Sequence, residues 1–418
     1  MKVLWITNIA IPQIAEAVGM KKVPVGGWMV KLADEIANTC ELTLAFPYIK
    51  EVSGTVGNLK YYGFPNKKND VKKAEYGVTG KALQSVVEAV KPDVIHIHGT
   101  ECIHSYIMSE VCKKLGMQNR VVISIQGLLS VYADHYEAYL PHNISVRRTL
   151  RDWYAGNVAF HRKKFYRNGE YEKKAITNVQ HVIGRTDWDK ACCHYINPNA
   201  QYHFCNEMLR ASFYEHTWNY EACEKHSIFM SQATNPIKGL HLGVEAFTLV
   251  KRDYPDAKLY IAGKSYYGKP KWKLSYYEKY VLELIEKNNL RNDVIFTGFL
   301  DEEAMCRRYL KSNVFVSASS IENSPNSVCE AMALGMPVVS SMVGGVANLL
   351  KHGEEGFYYQ ADAPYMLAYY IKKFFDNKEQ YELFAYNAKK VAHTRHAPGL
   401  IVENLTGIYH KIKECRNI

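Results

Sequence analysis

The stretch from Val314 to Ser340 reads VFVSASSIENSPNSVCEAMALGMPVVS, and it decides the fold class. An apolar run, Val314–Ala318, leads into a polar loop, and Pro325, Asn326 and Ser327 then supply residues typical of a helix start. A second apolar run covers Pro337–Ser340. Two short apolar runs separated by a helix indicate buried parallel strands in a βαβ unit.

The same alternation runs along the chain in two series, with a break near residues 196–226. Right-handed crossovers wind each series into an open sheet with helices on both faces. The sequence therefore predicts an α/β protein of two doubly wound Rossmann-like domains, residues 1–205 and 206–399, which face each other across a cleft. The predicted strands are Val3–Thr7, Leu42–Ala45, Val94–His98, Val121–Ile125 and His181–Gly184, followed by Ser227–Ser231, Leu259–Ala262, Val294–Thr297, Val314–Ala318 and Pro337–Ser340.

The composition of the 418 residues, 47% hydrophobic and 22% charged, is that of a globular protein and excludes a disordered or fibrous chain. A net charge of +10 favours anionic partners such as phosphates or an acidic membrane face. Nucleic acid is not expected, because no recognised nucleic-acid module is present. The cysteines form neither CxxC pairs nor zinc spacings, so we expect a reducing, cytoplasmic location.

Three glycine-containing loops are candidates for phosphate binding, since ligands bind at the carboxyl ends of parallel strands. Gly26 and Gly27 precede an amphipathic helix whose first amides attract anions. Lys238, beside Gly239, follows the first strand of the second domain, and Gly344-Gly345 follows the strand Pro337–Ser340. The alternatives are a flexible loop, a solvated lysine and a tight turn.

Two acidic residues mark the stretch quoted above. Glu322 lies in the loop after the strand, and Glu330 lies in the following helix. Carboxylates can accept hydrogen bonds from paired sugar hydroxyls, so this arrangement suits a carbohydrate ligand. The alternative is a capped helix with two solvated acids.

Together with Ala331 to Val339, the two glutamates resemble the donor-binding signature of the retaining glycosyltransferase family 4. Its members have the two-Rossmann-domain glycosyltransferase (GT-B) fold. Similarity also extends, in the same order, through Gly26-Gly27, the run Asp93–Gly99, Lys238-Gly239 and Gly344-Gly345, and so covers nearly the whole chain.

The resemblance implies a role for each matching residue. Glu330 would hold the donor ribose, Glu322 the transferred sugar and Lys238 the diphosphate. Residues 1–205 would form the acceptor domain and residues 206–399 the nucleotide-sugar donor domain, and the last helix, within residues 400–418, would cross back onto the first domain. Further donor contacts implied by the match are Gly26, Gly27, Gly345 and Val346 through backbone amides, Phe299 and Leu300 at the nucleobase, and Asn326 and Ser327 at the helix start.

Two departures from the family concern charge and proton transfer. Gln126 stands where a histidine is usual, and Gln232 stands where an arginine is common. Gln126 can hydrogen bond to a sugar hydroxyl but cannot take a proton. Arg185 is our candidate for the missing cation, with an exposed arginine near a helix start as the alternative. His98 is a candidate on the acceptor side, or else a core histidine.

The sequence thus predicts a retaining glycosyltransferase that moves a sugar from a nucleotide-diphosphate sugar to a glycan or lipid-linked glycan, in surface polysaccharide biosynthesis. The alternative is a non-catalytic scaffold that binds nucleotide sugars. No metal or other cofactor is predicted, because Asp187 and Asp189 suit a helix N-terminus better than a metal site. Uracil, guanine and adenine stay open as the donor base.

Basic and aromatic residues interleave between Pro141 and Ala175. Such a stretch suits an anionic membrane interface or a lipid-linked phosphate. We therefore expect peripheral contact with the inner face of the cytoplasmic membrane, with a solvated helical face as the alternative.

Overall fold

The structure is a computed structural model that describes residues 1–20 and 27–414; the side chains of residues 27, 28 and 378–381 lie outside the description. The chain divides into two compact units. The first unit contains Met1–Val131, Tyr166–Met208 and the chain from His396 onward, and the second contains Tyr132–Phe165 and Leu209–Arg395. Within the described residues, no helix combines the length and apolar character needed to cross a bilayer.

The first unit is built on a sheet of eight described strands in the order β3-β4-β2-β1-β5-β6-β7-β8. All neighbouring pairs are parallel except β3 and β4. The strands are β1 (Lys2–Ile6), β2 (Glu41–Tyr48), β3 (Val52–Val56), β4 (Leu59–Pro65), β5 (Val94–His98), β6 (Val121–Ser124), β7 (His181–Gly184) and β8 (Gln201–Phe204).

Helices cover both faces of this sheet. Strands β1, β5, β6 and β7 are therefore buried on both sides. One apolar cluster contains Leu4 and Ile95, and a second contains Val3 and Trp5, as expected from alternating side-chain directions along a strand. The helices are α1 (Pro12–Ala17), α2 (Gly27–Ala37), α3 (Gly77–Val90), α4 (Ile103–Lys114), α9 (Asp187–Ile196) and α17 (Pro398–Glu414). Two more, α5 (Leu129–His135) and α8 (Val158–Thr177), run from one unit into the other.

The second unit contains a six-stranded parallel sheet in the order β11-β10-β9-β12-β13-β14 among the described residues. Its strands are β9 (Glu224–Met230), β10 (Lys258–Ala262), β11 (Val294–Gly298), β12 (Ser312–Ser317), β13 (Val338–Ser341) and β14 (Phe357–Tyr359). Its helices are α6 (His142–Val146), α7 (Leu150–Ala155), α10 (Ser212–Glu215), α11 (Leu240–Asp253), α12 (Tyr276–Lys287), α13 (Glu302–Lys311), α14 (Asn326–Leu334), α15 (Pro364–Asp376) and α16 (Lys378–Arg395).

The predicted architecture of two Rossmann-like α/β domains is confirmed, and every predicted strand is present. Four further strands, β3, β4, β8 and β14, were not predicted. Strand β3 contains Ser53, Gly54 and Thr55, and β8 is partly exposed along its length, so neither shows an unbroken apolar run.

The segment Tyr132–Phe165 belongs to the second unit, whereas the sequence placed it in the first domain. Polar contacts explain this membership. The Thr149 hydroxyl donates to the Leu274 carbonyl at 2.7 Å, and Asp152 accepts from the Tyr276 amide at 2.8 Å. A buried His241 also contacts the Ala138 carbonyl at 2.7 Å. Such side-chain contacts over more than a hundred positions leave no periodic signal in the sequence.

The carboxy-terminal helix α17 packs in the first unit through a buried polar network. The Trp5 indole donates to the Tyr409 hydroxyl at 2.8 Å, and the same hydroxyl lies 2.6 Å from Nδ1 of His96. Nε2 of His96 in turn lies 2.6 Å from the Ser124 hydroxyl. Each of these groups is buried, so each needs its partner to offset the loss of water.

We predict that Tyr409→Phe lowers the free energy of unfolding by about 1–3 kcal/mol, because it leaves buried Trp5 and His96 groups without a partner. Urea unfolding measures this change. Tyr195→Phe, at a tyrosine that is 88% exposed, is the matched control and should change stability little. Equal effects of both substitutions would contradict the importance of the network.

Candidate active site

The loops after β9, β12 and β13 of the second unit bring the predicted donor residues together at the carboxyl edge of its sheet. Lys238, Glu322 and Ser327 line one small cavity together with Gln232. These residues come from the loops after β9 and β12, and because the two strands are adjacent and parallel, both loops reach the same edge of the sheet. The structure therefore groups residues that the sequence proposed separately.

A salt bridge joins Lys238 to Glu322 with 2.5 Å between Nζ and Oε1. The Ser319 hydroxyl donates to the same carboxylate oxygen at 2.6 Å. Glu322 is buried, and Lys238 is about one-third exposed at its side chain. Glu322 is therefore not the solvated acid of the alternative interpretation, and its charge is balanced by a cation that faces the cavity.

Two glycines allow these loops to pack closely. A Cβ at Gly239 would lie 1.9 Å from the Ala318 carbonyl oxygen, and one at Gly344 would lie 1.9 Å from the Glu322 carbonyl oxygen. Both glycines have positive φ, at 67° and 51°, where a side chain is also strained. Glycine is therefore required at both positions to set the backbone beside Lys238 and Glu322.

Glu330 lies in α14, as predicted, and is paired with a residue that the sequence did not indicate. Arg210 makes two hydrogen bonds to it, Nε to Oε1 at 2.7 Å and Nη2 to Oε2 at 2.8 Å. Burial raises the pKa of the Glu330 carboxyl, and the Arg210 guanidinium opposes that shift. The two residues are 120 positions apart, so only the folded chain shows that this arginine neutralises the buried carboxylate.

The other predicted donor residues lie around this edge. Phe299, which is 83% exposed, and Leu300 follow β11, and Asn326 and Ser327 begin α14. The amide of Gly345 donates to the Glu322 carbonyl at 3.0 Å and that of Val346 to the Val343 carbonyl at 3.1 Å. Those two amides already serve the turn, so their contact with a diphosphate stays a prediction.

The predicted glycine pair of the first unit straddles the limit of the described chain. Gly27 is the first residue of α2, whereas Gly26 lies outside the described residues. Phosphate binding at this position therefore also stays a prediction.

Arg185 of the first unit is buried, not exposed near a helix start. Its guanidinium pairs with Glu207 at 2.6 Å and donates to the carbonyls of Ile125 and Gln126 at 3.2 Å. The arginine thus fixes the loop that carries Gln126. A role for either residue at the diphosphate stays a prediction.

His98 lies in the core of the first unit, stacked on His96 with 3.8 Å between ring centroids and edge-on to Trp5. Burial lowers the pKa of His98 to about 3, so the ring is neutral at physiological pH. This packing favours the core alternative over an exposed acceptor-side residue.

Asp189 has the capping role that the sequence favoured, and Asp187 lies in the first turn of the same helix. The Thr186 hydroxyl accepts from the Asp189 amide, and the Asp189 carboxylate accepts from the Thr186 amide, which forms a capping box at the start of α9. Across residues 1–20 and 27–414, no group of three or more His, Cys, Asp or Glu side chains is placed to hold a metal ion.

Comparison with protein families gives one match within the second unit. Residues 220–391 match the family model described as Glycosyl transferases group 1. The match includes Lys238, Glu322 and Glu330.

Among curated relatives, an uncharacterized glycosyltransferase of Methanocaldococcus jannaschii is 26% identical over 44% of this chain and 45% of its own length. Spore coat protein SA of Bacillus subtilis is 26% identical over 42% of this chain and 46% of its own length. The chain thus spans just under half the length of the curated relatives that it matches.

Solved structures show the fold over nearly the whole chain. Sucrose-phosphate synthase from Thermosynechococcus elongatus matches with a TM-score of 0.70 at 15% identity, covering 99% of both chains. Anabaena HepE in complex with UDP and glucose matches with a TM-score of 0.69 at 15% identity, over 98% of this chain and 100% of that one. WaaG, a glycosyltransferase involved in lipopolysaccharide biosynthesis, matches with a TM-score of 0.64 at 14% identity, over 97% of this chain and 100% of that one. The predicted glycosyltransferase fold of two Rossmann-like domains is confirmed.

We predict that Arg210→Met lowers the free energy of unfolding by about 3–5 kcal/mol near neutral pH, because it leaves the buried Glu330 carboxylate unpaired. The raised pKa of Glu330 sets the sign of the pH dependence. At low pH the carboxyl is protonated and neutral, so the loss should shrink as the pH falls through that pKa.

Denaturant unfolding at several pH values measures this effect. Arg307→Met is the matched control, since Arg307 and Glu303 form an exposed pair at 3.9 Å and its removal should cost less than about 1 kcal/mol. A loss that is independent of pH, or equal in both variants, would contradict the assignment of Arg210 as the counter-ion of Glu330.

Proposed function

We propose that the protein is a retaining glycosyltransferase that moves a sugar from a nucleotide-diphosphate sugar to a hydroxyl of a glycan or lipid-linked glycan. The observation that carries the proposal is the Lys238–Glu322 salt bridge beside the buried, arginine-paired Glu330. All three residues lie within residues 220–391, the part of the chain that matches the Glycosyl transferases group 1 model, and this match supports the proposal. Anabaena HepE, which shares the fold, has been solved in complex with UDP-glucose, and this supports a nucleotide-sugar donor.

In the proposed reaction the donor diphosphate replaces Glu322 as the ion-pair partner of Lys238. The ammonium then faces the charge that grows on the diphosphate as the sugar–phosphate bond breaks. Glu322, released from its cation, accepts hydrogen bonds from the sugar hydroxyls, and Glu330 holds the ribose. On binding, the Lys238–Glu322 pair is thus replaced by a lysine–diphosphate pair and by hydrogen bonds to Glu322, and these hydrogen bonds limit the cost of keeping that carboxylate buried.

Retention follows if the acceptor hydroxyl attacks the face from which the phosphate departs. The new glycosidic bond forms as the sugar–phosphate bond breaks, and the hydroxyl proton passes to a departing phosphate oxygen. Because the phosphate takes that proton, this route needs no basic side chain at position 126, and it is therefore compatible with Gln126, which cannot take a proton. We propose that cationic side chains, Lys238 foremost, stabilise the diphosphate without a metal or other cofactor.

The alternative function is a non-catalytic scaffold that binds nucleotide sugars. This alternative is suggested by Gln126 and Gln232, which stand where the family usually has a histidine and commonly an arginine. The comparisons lend it no support, and catalysis distinguishes the two functions. A chain that binds donors but transfers nothing to any acceptor would be a scaffold.

We further propose that the protein works at the anionic inner face of the cytoplasmic membrane, in surface polysaccharide biosynthesis. Not every aromatic residue between Pro141 and Ala175 is available for this contact. Phe165 packs on Tyr136 with 4.7 Å between ring centroids, and Tyr171 packs on Tyr106 at 5.3 Å, so these aromatics face inward. The most exposed aromatics of the stretch, Trp153 and Tyr154, lie in its earlier part, and we propose that they make the membrane contact.

We define the aromatic–basic patch as eight exposed residues, which come from positions 147–154 at and before α7 and from the turn Lys271–Lys273 that packs beside this helix. Four large apolar side chains are 59–93% exposed, and cations accompany them without an exposed acid in either segment. Apolar groups with surrounding cations suit the interface of an anionic bilayer. The apolar members are Leu150, Trp153, Tyr154 and Trp272, and the cations are Arg147, Arg148, Lys271 and Lys273.

The donor site is tested by Lys238→Met and Glu330→Gln. A thermal-shift screen over uridine, guanosine and adenosine diphosphate sugars identifies the donor first, because a bound ligand stabilises the folded state. Lys238→Met should then reduce release of the nucleoside diphosphate by about a hundredfold or more. Glu330→Gln should weaken donor binding by about tenfold or more.

Lys264→Met is the matched control for the lysine, since Lys264 is exposed and lies outside the cavity of Lys238 and Glu322. Near-normal binding and turnover in both site variants would refute the donor assignment. Binding without turnover in the unmodified chain, over a wide panel of acceptors, would establish the scaffold instead.

The patch is tested by Trp153→Ser/Tyr154→Ser in sedimentation with vesicles of phosphatidylcholine alone or mixed equally with phosphatidylglycerol. The full chain should bind the anionic vesicles, and the variant should lose about tenfold or more of that binding. Tyr386→Ser, at an exposed tyrosine of α16, is the control. Equal binding by variant and control, or no preference for anionic lipid, would contradict the proposal.

A further inference from the structure

The sheet of the first unit has a topological switch point between β1 and β5. Strand β1 pairs with β2 on one side and β5 on the other, and both pairings are parallel. The connections that leave β1 and β5 therefore run in opposite directions across the sheet. In open α/β sheets ligands bind in the crevice that this divergence leaves outside the carboxyl ends of the strands.

Two polar side chains bridge this point. Asn8 follows β1 and Glu101 follows β5, and Nδ2 of Asn8 donates to Oε1 of Glu101 at 2.8 Å. The other end of the Asn8 amide, Oδ1, lies 3.0 Å from Nε2 of His104 in α4. Nδ1 of His104 lies 3.2 Å from the Asn66 amide nitrogen.

This chain of contacts fixes the direction of every hydrogen bond. The Asn66 amide nitrogen can only donate, so Nδ1 of His104 accepts and Nε2 carries the proton. Nε2 then donates to Oδ1 of Asn8, which leaves Nδ2 to donate to Glu101. Burial lowers the pKa of His104 to about 4, which is consistent with the neutral ring that this arrangement needs. Asn8 thus anchors one carboxylate oxygen of Glu101, Oε1.

Glu101 differs from a structural carboxylate of the same unit. Glu172 is buried, and its two oxygens accept hydrogen bonds from the Thr100 hydroxyl, the Leu129 amide, and the Ser130 amide and hydroxyl. Oε2 of Glu101 is also buried, yet it makes no hydrogen bond within residues 1–20 and 27–414. A buried oxygen without a partner is costly, and such groups are expected where a ligand completes the set.

The surroundings of Glu101 also make its charge sensitive to pH. Burial raises the pKa of the carboxyl to about 7. The backbone amide of Glu101 itself and the Asn8 hydrogen bond oppose the shift, and the carboxylates of Glu172 and Glu207 add to it. Glu207 itself pairs with Arg185, and His104 is neutral. Near physiological pH, Glu101 is therefore close to the change between a neutral acid and a charged hydrogen-bond acceptor.

We propose that Glu101 binds a hydroxyl of the acceptor glycan, and that the switch point of the first unit is an acceptor subsite in which Asn8 and His104 position the carboxylate. This inference rests on the proposed transferase function and adds the place and the chemical group of acceptor recognition. A hydroxyl donates to the carboxylate oxygen that has no partner, and rotation of the terminal torsion of the glutamate, which is soft, brings that oxygen toward the ligand. A neutral polyol is the expected ligand, because the nearby carboxylates of Glu172 and Glu207 would repel an anion at this place.

The test uses the full chain saturated with its donor nucleotide and an array of immobilised monosaccharide and disaccharide glycosides. Glu101→Gln keeps the size of the side chain and its bond to Asn8 but removes the charge. Glycan binding should fall about tenfold or more, whereas the thermal shift caused by the donor nucleotide should not change. Glu88→Gln, the same change at an exposed residue of α3, is the control and should bind normally.

The pH profile separates ligand contact from a structural role. Binding of glycan to the unmodified chain should strengthen as the pH rises through about 7, and binding to Glu101→Gln should be flat over that range. Asn8→Ala should weaken glycan binding without removing the pH dependence. No glycan binding by the unmodified chain, or equal binding and equal pH profiles in Glu101→Gln, would overturn the inference. If no nucleotide-diphosphate sugar shifts the melting temperature of the unmodified chain, the proposed function itself is refuted.

A second measurement needs no glycan. The pKa of Glu101 is higher in the folded chain than its ordinary value, so the charge that appears between about pH 5 and 7 destabilises the fold. The melting temperature of the unmodified chain should therefore fall relative to that of Glu101→Gln as the pH rises through this range. A constant difference would show that Glu101 is an ordinary solvated acid and would overturn the inference.

Discussion

Burial of carboxylates at the carboxyl edge of a parallel sheet is the constraint on which the second unit depends. Glu322 and Glu330 are both removed from water, and an unpaired carboxylate in such a place would cost several kcal/mol. Each is therefore matched by a cation, Lys238 and Arg210 respectively. The two pairs differ in exposure, since Lys238 faces a cavity and Arg210 makes a closed, bidentate contact. The first pair is suited to exchange partners and the second to hold its carboxylate still.

The backbone around these pairs is equally constrained. Gly239 and Gly344 let their loops approach the ends of neighbouring strands at distances that exclude any Cβ atom. The loops of β9, β12 and β13 thereby meet at one place, although their residues lie more than a hundred positions apart at the extremes. The sheet determines which strand ends are adjacent, and the glycines let the loops after those strands pack closely together. A site that holds charge pairs in fixed geometry needs both.

Much of the fold and part of the site could be predicted from the sequence, for a physical reason. Strands buried on both faces are unbroken apolar runs, so β1, β5, β12 and β13 are visible in the sequence, whereas β3 and β8 are partly exposed and mixed in composition. Glu322 was found because it follows such a run. Arg210 and Glu101 could not be identified from the sequence. The salt bridge of Arg210 joins residues 120 positions apart, and the missing hydrogen bond of the buried Glu101 oxygen is a property of the folded chain. The inward packing of Tyr171 likewise depends on tertiary contacts.

The central claim is that the paired carboxylates of the second unit grip a nucleoside diphosphate sugar, and a crystal structure of the chain with its bound nucleoside diphosphate tests it most directly. The account predicts the ribose hydroxyls within hydrogen-bond distance of Glu330 while Arg210 keeps its contact, and the diphosphate on Lys238 with the Lys238–Glu322 bridge opened. A nucleotide bound elsewhere, or bound at this edge with that bridge intact and Glu330 untouched, would contradict the account.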